Sequence, residues 1–223
     1  MNKINLKRRL QASFLGVGCG KINQMKIAII SDIHDNLANL ERFLAVFDGP
    51  AFAEGYGEAK GIICCGDVTT PETLEYLTQN FSGPIKLVCG NAEIRSEEFF
   101  SLTKRFPQLE VFAKWGEWKI RESKKSRHAL DLAFVHKPDR VEEIAHGLVR
   151  QAHHKKFSFV FYGHTHQPWV KTAPKDPPLG TPQGESLGVT VIANPGTLGG
   201  VFTAPTFAVL DTASGRLELK KLY

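Results

Sequence analysis

The sequence contains no apolar run near the roughly eighteen residues that a membrane-spanning helix needs, so nothing in it reads as a bilayer segment. It also lacks any long block of single-sign charge. Twenty-eight Lys and Arg are interspersed with 23 Asp and Glu, for a net charge of +5 and an isoelectric point near 9.0. That balance favours anionic partners only weakly, and nucleic acid is not indicated. Cysteine is scarce: Cys19, Cys64, Cys65 and Cys89 form no CxxC spacing. Their arrangement argues against a disulfide staple or a thiolate zinc site. Three of them lie in or at the end of apolar runs, as small core residues of a protein in a reducing, cytoplasmic compartment do. There is no repeat of solenoid period and no low-complexity tract.

What is present is a chain of 223 residues, 42% hydrophobic, enough to bury the core of one large domain. Residues 1–24 carry a basic start and a short glycine-rich apolar patch, too short for a secretory signal. They read as an extension or an over-long start, with a targeting segment or a real arm as the alternative. Met25 opens MKIAIIS, and the domain is expected over residues 25–223.

From Met25, strand-length apolar runs alternate with amphipathic segments: KIAIIS then NLANLERFLAVF, GIICC then ETLEYLTQNF, IKLVC then EEFFSLTKRF. This is a βαβα rhythm around a largely buried sheet, hence an α/β fold. After Pro107, LEVFAKW and EWKIRES bracket Gly116 as a hairpin would, ALDLAFVH follows as a strand, and a helical segment is expected over Arg140 to His153. The last third is almost all strand, interrupted by a Pro- and Gly-rich loop from Pro174 to Leu187. KKSRH, Lys124 to His128, reads as a solvated turn, and HHKK, His153 to Lys156, as a basic helix end.

One pattern recurs along the chain: an apolar run ends and a metal-competent side chain follows. Asp32 and His34 follow IAIIS, Asp67 follows GIICCG, Asn91 follows IKLVCG, His136 follows LDLAFV, and His164 and His166 follow FVFYG. A single aspartate after a strand is most often a cap or turn residue, and a single histidine is usually just hydrogen-bonded. Five such endings are different, because ligand sites in α/β sheets gather at the carboxyl ends of strands. Side chains at i and i+2 of an extended backbone point the same way, so Asp32 with His34, and His164 with His166, are each expected to face one point. The glycines before three of the ligands suit a chain that leaves its strand abruptly or passes close to an ion.

The mixed oxygen and nitrogen set, without thiolate, suits two divalent transition metals, Mn²⁺, Fe²⁺, Ni²⁺ or Zn²⁺. Seven ligands exceed one tetrahedral ion, whereas two ions sharing a carboxylate would use them. Two cations against two aspartates leave positive charge, which attracts phosphate.

SDIHDN, CCGDVT, VCGNAE, FVHKP, GHTHQP and NPGT, in this order, resemble the calcineurin-like metallophosphoesterase superfamily, and within it the small YfcE-type phosphodiesterase branch. The resemblance covers Met25 to Tyr223 and implies a four-layer α-β-β-α sandwich of two mixed sheets flanked by helices. It implies Asp32, His34, Asp67 and His166 on one metal, Mn²⁺ before Fe, Ni or Zn, and Asp67, Asn91, His136 and His164 on the other, with Asp67 bridging. It further implies a phosphoesterase, a diesterase before a monoesterase, that hydrolyses a small phosphoester by in-line attack of a dimetal-bound hydroxide.

Two departures bear on activity. GNAE replaces GNH, so Ala92 cannot act as the general acid, and leaving groups that need little protonation, such as aryl esters, are expected to be preferred. Glu93 is free to orient a ligand instead. HKP replaces HGH, so Lys137 either helps hold an anionic substrate or points to solvent. Asn194 of NPGT is either a turn residue or a substrate contact. The alternative function is a non-catalytic interaction scaffold of the Vps29 type, since a fold does not establish turnover. A nuclease ranks below both.

Overall fold

The computed structural model describes residues 25–48, 59–121, 129–145, 157–174 and 189–223. The first strand, β1 (Lys26–Ile30), shows why the apolar runs are continuous rather than alternating. Ala28 and Ile30 face one hydrophobic cluster, and Ile27 and Ile29 face another. A strand buried on both sides needs apolar residues at every position.

β1 lies in a six-stranded sheet ordered β11-β10-β1-β2-β3-β4, with β2 (Ala59–Cys64), β3 (Ile85–Val88) and β4 (Leu109–Phe112) parallel to it. β10 (Thr206–Asp211) and β11 (Arg216–Lys221) close one edge in antiparallel fashion. The second sheet has five strands, ordered β5-β6-β7-β9-β8: β5 (Trp115–Arg121), β6 (Ala129–Val135), β7 (Phe159–Phe161), β8 (Trp169–Pro174) and β9 (Val189–Asn194). Its central strands β6, β7 and β9 run parallel.

Three hydrophobic clusters define four layers. The first packs α1 (Leu37–Asp48), α2 (Pro71–Asn80) and α3 (Ser96–Leu102) on the outer face of the six-stranded sheet, through Leu40, Phe43, Leu74, Leu77 and Phe99. The second fills the space between the sheets, where Ile27, Ile29 and Ile63 meet Leu132, Phe134, Phe159 and Phe161. The third seats α4 (Val141–Ala145) on the outer face of the five-stranded sheet through Val141 and Ile144. The fold is the expected α-β-β-α sandwich. Cys64 faces the first cluster and Cys65 the second, both fully buried as core residues.

The hairpin expected around Gly116 does not form. β4 pairs with β3, and β5 pairs with β6 in the other sheet, so the chain crosses between sheets at Ala113 and Lys114. Gly116 lies inside β5, paired with Phe134, where a Cβ would collide with the Phe134 ring and reach 2.8 Å from Phe112 Cδ2. Its absent side chain makes room for an aromatic ring, not for a turn. The 1–24 extension, KKSRH, HHKK, most of the Arg140 to His153 segment and the loop after Pro174 lie outside the described residues. Among the described residues, no helix is long and apolar enough to cross a membrane.

Candidate metal centre

All the parallel strands that precede the candidate ligands end on one side of the sandwich. β1 delivers Asp32 and His34, β2 Asp67, β3 Asn91, β6 His136, and β7 His164 and His166. The two i, i+2 pairs, Asp32 with His34 and His164 with His166, converge by a different route from the one expected. Asp32 (φ 54°), His34 (47°), His164 (67°) and His166 (58°) occupy left-handed conformations, as does Asp67 (55°). The convergence therefore comes from turns, not from strand alternation. Asp is among the few residues that enter this region readily, yet each such residue still costs of order 1 kcal/mol unless its surroundings hold it. Here Asp32 N–H donates to Gly66 O at 2.9 Å, His34 N–H to Asp67 O at 3.0 Å, and Thr197 Oγ1 to Asp32 O at 2.8 Å.

The seven side chains form two groups with a shared middle. In the first, Asp32 Oδ1 lies 3.1 Å from His166 Nε2 and 3.8 Å from His34 Nε2, and the two histidine nitrogens are 3.3 Å apart. In the second, His136 Nε2 lies 3.0 Å from Asn91 Oδ1, 3.2 Å from His164 Nδ1 and 3.4 Å from Asp67 Oδ2. The same Asp67 Oδ2 is 3.9 Å from His34 Nε2, so this carboxylate faces both groups. Asp32, Asp67, His136 and His166 are buried and form the floor, while Asn91 and His164 are exposed and form an open rim.

The donor chemistry fits cations. His136 Nδ1 lies 2.8 Å from Cys65 O and His166 Nδ1 lies 3.1 Å from Val201 O. A carbonyl can only accept, so both rings carry their proton on Nδ1 and turn a bare Nε2 inward. Asp32 Oδ1 is buried and has no hydrogen-bond donor. Lone pairs thus face lone pairs at 3.1 Å, an arrangement that a cation between them makes favourable.

The glycines also fit a close approach. A Cβ on Gly90 would collide with Asp67 Oδ1, and one on Gly163 would meet Ser31 Oγ and come 2.8 Å from Asp32 Oδ2. Burial pushes the Asp32 carboxyl above the ordinary range, against the opposing pull of His136 and His166. Burial acts the same way on Asp67, but the adjacent His136 imidazole, the Ala92 N–H and His34 outweigh it and lower its pKa. For His136, burial favours the neutral ring but Asp67 prevails and raises the pKa.

Three supporting residues complete the site. Glu93, buried, accepts Val68 N–H and Gly90 N–H, each at 2.5 Å, and so fixes the turns that carry Asp67 and Asn91. Asn194, fully buried, donates to Gly163 O at 2.8 Å and Thr165 Oγ1 at 2.9 Å, and accepts Gly196 N–H at 2.8 Å. It braces the GHTH loop from behind, the part a turn residue plays. Asp35 was not singled out from the sequence; its Oδ1 accepts from Thr70 N, Thr70 Oγ1 and Thr73 Oγ1 at 3.1, 2.7 and 2.7 Å, capping α2. An aspartate just ahead of a Thr-Thr-Pro-Glu helix start in space has no local sequence signal.

Residues 25–215 match the calcineurin-like phosphoesterase superfamily domain. The chain belongs to that superfamily. No curated protein matches the sequence. Among solved structures, an archaeal phosphodiesterase shares 21% identity over 89% of this chain and 100% of its own, with a TM-score of 0.66. A hypothetical protein from Pyrococcus horikoshii OT3 shares 12% identity over 89% and 88%, at 0.54. Vacuolar Protein Sorting 29 from Cryptosporidium parvum shares 17% over 88% and 96%, at 0.50. At these identities the likenesses speak for the fold of this superfamily member.

Proposed function

We propose that this superfamily member is a metal-dependent phosphoesterase, a phosphodiesterase by preference, acting on a small phosphoester. Asp32, His34, Asp67 and His166 would hold one divalent cation, and Asp67, Asn91, His136 and His164 a second, Mn²⁺ before Fe, Ni or Zn. The observation that carries this reading is the position of Asp67 Oδ2 between His136 Nε2 at 3.4 Å and His34 Nε2 at 3.9 Å. Cations held there would supply Lewis acidity toward a phosphoryl oxygen and would acidify a bound water. The protein's part is to fix the donors: Cys65 O and Val201 O set the tautomers of His136 and His166, and Glu93 and Asn194 hold the ligand-bearing turns.

Ala92 supplies no proton to a leaving group, which favours esters of acidic alcohols and phenols. The archaeal neighbour described as a phosphodiesterase supports the diester preference. The catalytic unit we assign is residues 25–223, with residues 1–24 as an extension, working in the cytoplasm.

A second reading, a protein-docking scaffold, draws on Phe202 and Ile94, 93% and 92% exposed beside the rim. The Phe202 ring lies 5.5 Å from that of His166, and Ile94 follows Asn91 by three residues. Metal analysis coupled to a panel of phosphomonoesters, phosphodiesters and cyclic nucleotides under Mn²⁺ separates the two. Turnover of diesters supports the esterase; stoichiometric metal without turnover anywhere on the panel supports the scaffold.

A further inference from the structure

A cleft of about 300 Å³ opens beside the second ligand group, walled by Cys89 and Gly90 after β3, Ala113 and Lys114 between β4 and β5, Val135 at the end of β6, and His136, Lys137, Asp139 and Arg140 after it. Two features tie it to the site: His136 is part of its wall, and Gly90 immediately precedes Asn91. Its charge is one-sided. Lys114, Lys137 and Arg140 are exposed along it, and none forms an ion pair among the described residues, whereas Lys86, Arg95 and Arg105 are paired with Glu110, Glu72 and Glu75. Against the three cations stands Asp139 alone, leaving a net charge of +2. Cys89, Ala113 and Val135 add a small apolar part.

We infer that this cleft binds one arm of the substrate, and that the arm carries a second phosphate. The inference rests on the phosphoesterase reading above. A neutral alkyl arm would gain nothing from three cations and an aryl face only a weak cation–π attraction, while a phosphate offers three acceptor oxygens to two ammonium groups and a guanidinium fork. The apolar strip suits the sugar or carbon linker between the two phosphates. Lys137, next to ligand His136 in sequence, thereby becomes a specificity residue.

Calorimetry on the Mn²⁺-loaded protein tests this with thymidine 3′,5′-bisphosphate and thymidine 5′-monophosphate. Exposed charge pairs are each weak, and three together predict about tenfold tighter binding of the bisphosphate. In a Lys114→Gln, Lys137→Gln, Arg140→Gln variant the ratio falls toward one, and in Lys137→Gln alone it falls part-way. Equal affinities in the wild type, or an unchanged ratio in a folded triple variant, would overturn the inference. Turnover of the 5′-(4-nitrophenyl) esters of thymidine 5′-phosphate, with and without a 3′-phosphate, is read in parallel. Release of nitrophenolate from neither refutes the esterase reading, while the binding ratio still decides the cleft.

Discussion

Replacing Glu93 by alanine should both destabilise the fold and loosen metal binding. The carboxylate is buried and accepts two backbone N–H groups at 2.5 Å, Val68 through Oε1 and Gly90 through Oε2. Thr69 N–H, at 3.4 Å, is too distant to count for much. A hydrogen bond to a charged group is worth about 1.5–3 kcal/mol; the buried Val68 N–H would lose all of it and the part-buried Gly90 N–H a share, so Glu93→Ala should cost about 3–5 kcal/mol. That is a large part of the 5–15 kcal/mol by which a typical domain is stable. Glutamine is nearly isosteric but keeps one acceptor oxygen and turns an NH₂ toward a second N–H, so Glu93→Gln should lose at least half as much.

Since Val68 follows Asp67 and Gly90 precedes Asn91, metal affinity should fall about 10–100-fold in either variant. Urea unfolding of the metal-free protein and calorimetric Mn²⁺ titration measure the two effects separately. A loss under 1 kcal/mol for alanine together with unchanged Mn²⁺ affinity would refute the assignment of Glu93 as the support of both turns.

Asn194→Ala should cost about 1–3 kcal/mol by stripping three hydrogen bonds, two of them fully buried, and weaken metal binding through the GHTH loop; a change confined to KM would instead mark a substrate contact. Ala92→His should raise the rate on alkyl diesters relative to aryl diesters, up to the roughly 10²–10⁴-fold that general acid help supplies, and an unchanged ratio would discard the leaving-group argument. Cys89, whose thiol burial and then Glu93 push up to about 12, should resist alkylation by iodoacetamide at pH 8; fast labelling there would contradict its packing. The same direction holds for buried Cys64 and Cys65. Their folded pKa values exceed the ordinary thiol value of 9.0, so the unfolded chain loses those protons first, and stability at equilibrium should fall as pH rises above about 9.

Much of the site was legible because its chemistry sits at strand ends. Each ligand-bearing strand is buried on both faces, so its apolar run stops abruptly where the chain meets the site, and the glycines at 66, 90 and 163 mark where a Cβ would strike a neighbour. The left-handed turns at Asp32, His34, Asp67, His164 and His166 were not legible, since backbone handedness at a non-glycine residue is imposed by its tertiary hydrogen bonds. Contacts such as Thr197 to Asp32, 165 residues apart, leave no local pattern. Gly116 misled because a glycine between two strand-like segments reads as a turn, whereas its cause is the Phe134 ring in the neighbouring strand.

If seven side chains hold two cations through a shared carboxylate, elemental analysis of Mn²⁺-loaded protein will count them. The wild type should retain two equivalents per chain. His166→Ala should retain one, because the Asp67, Asn91, His136 and His164 group is intact, and Asp67→Asn should retain fewer than one. Far-ultraviolet circular dichroism of both variants should match the wild type. One equivalent or none in the wild type, or two equivalents surviving in either variant, would contradict the account.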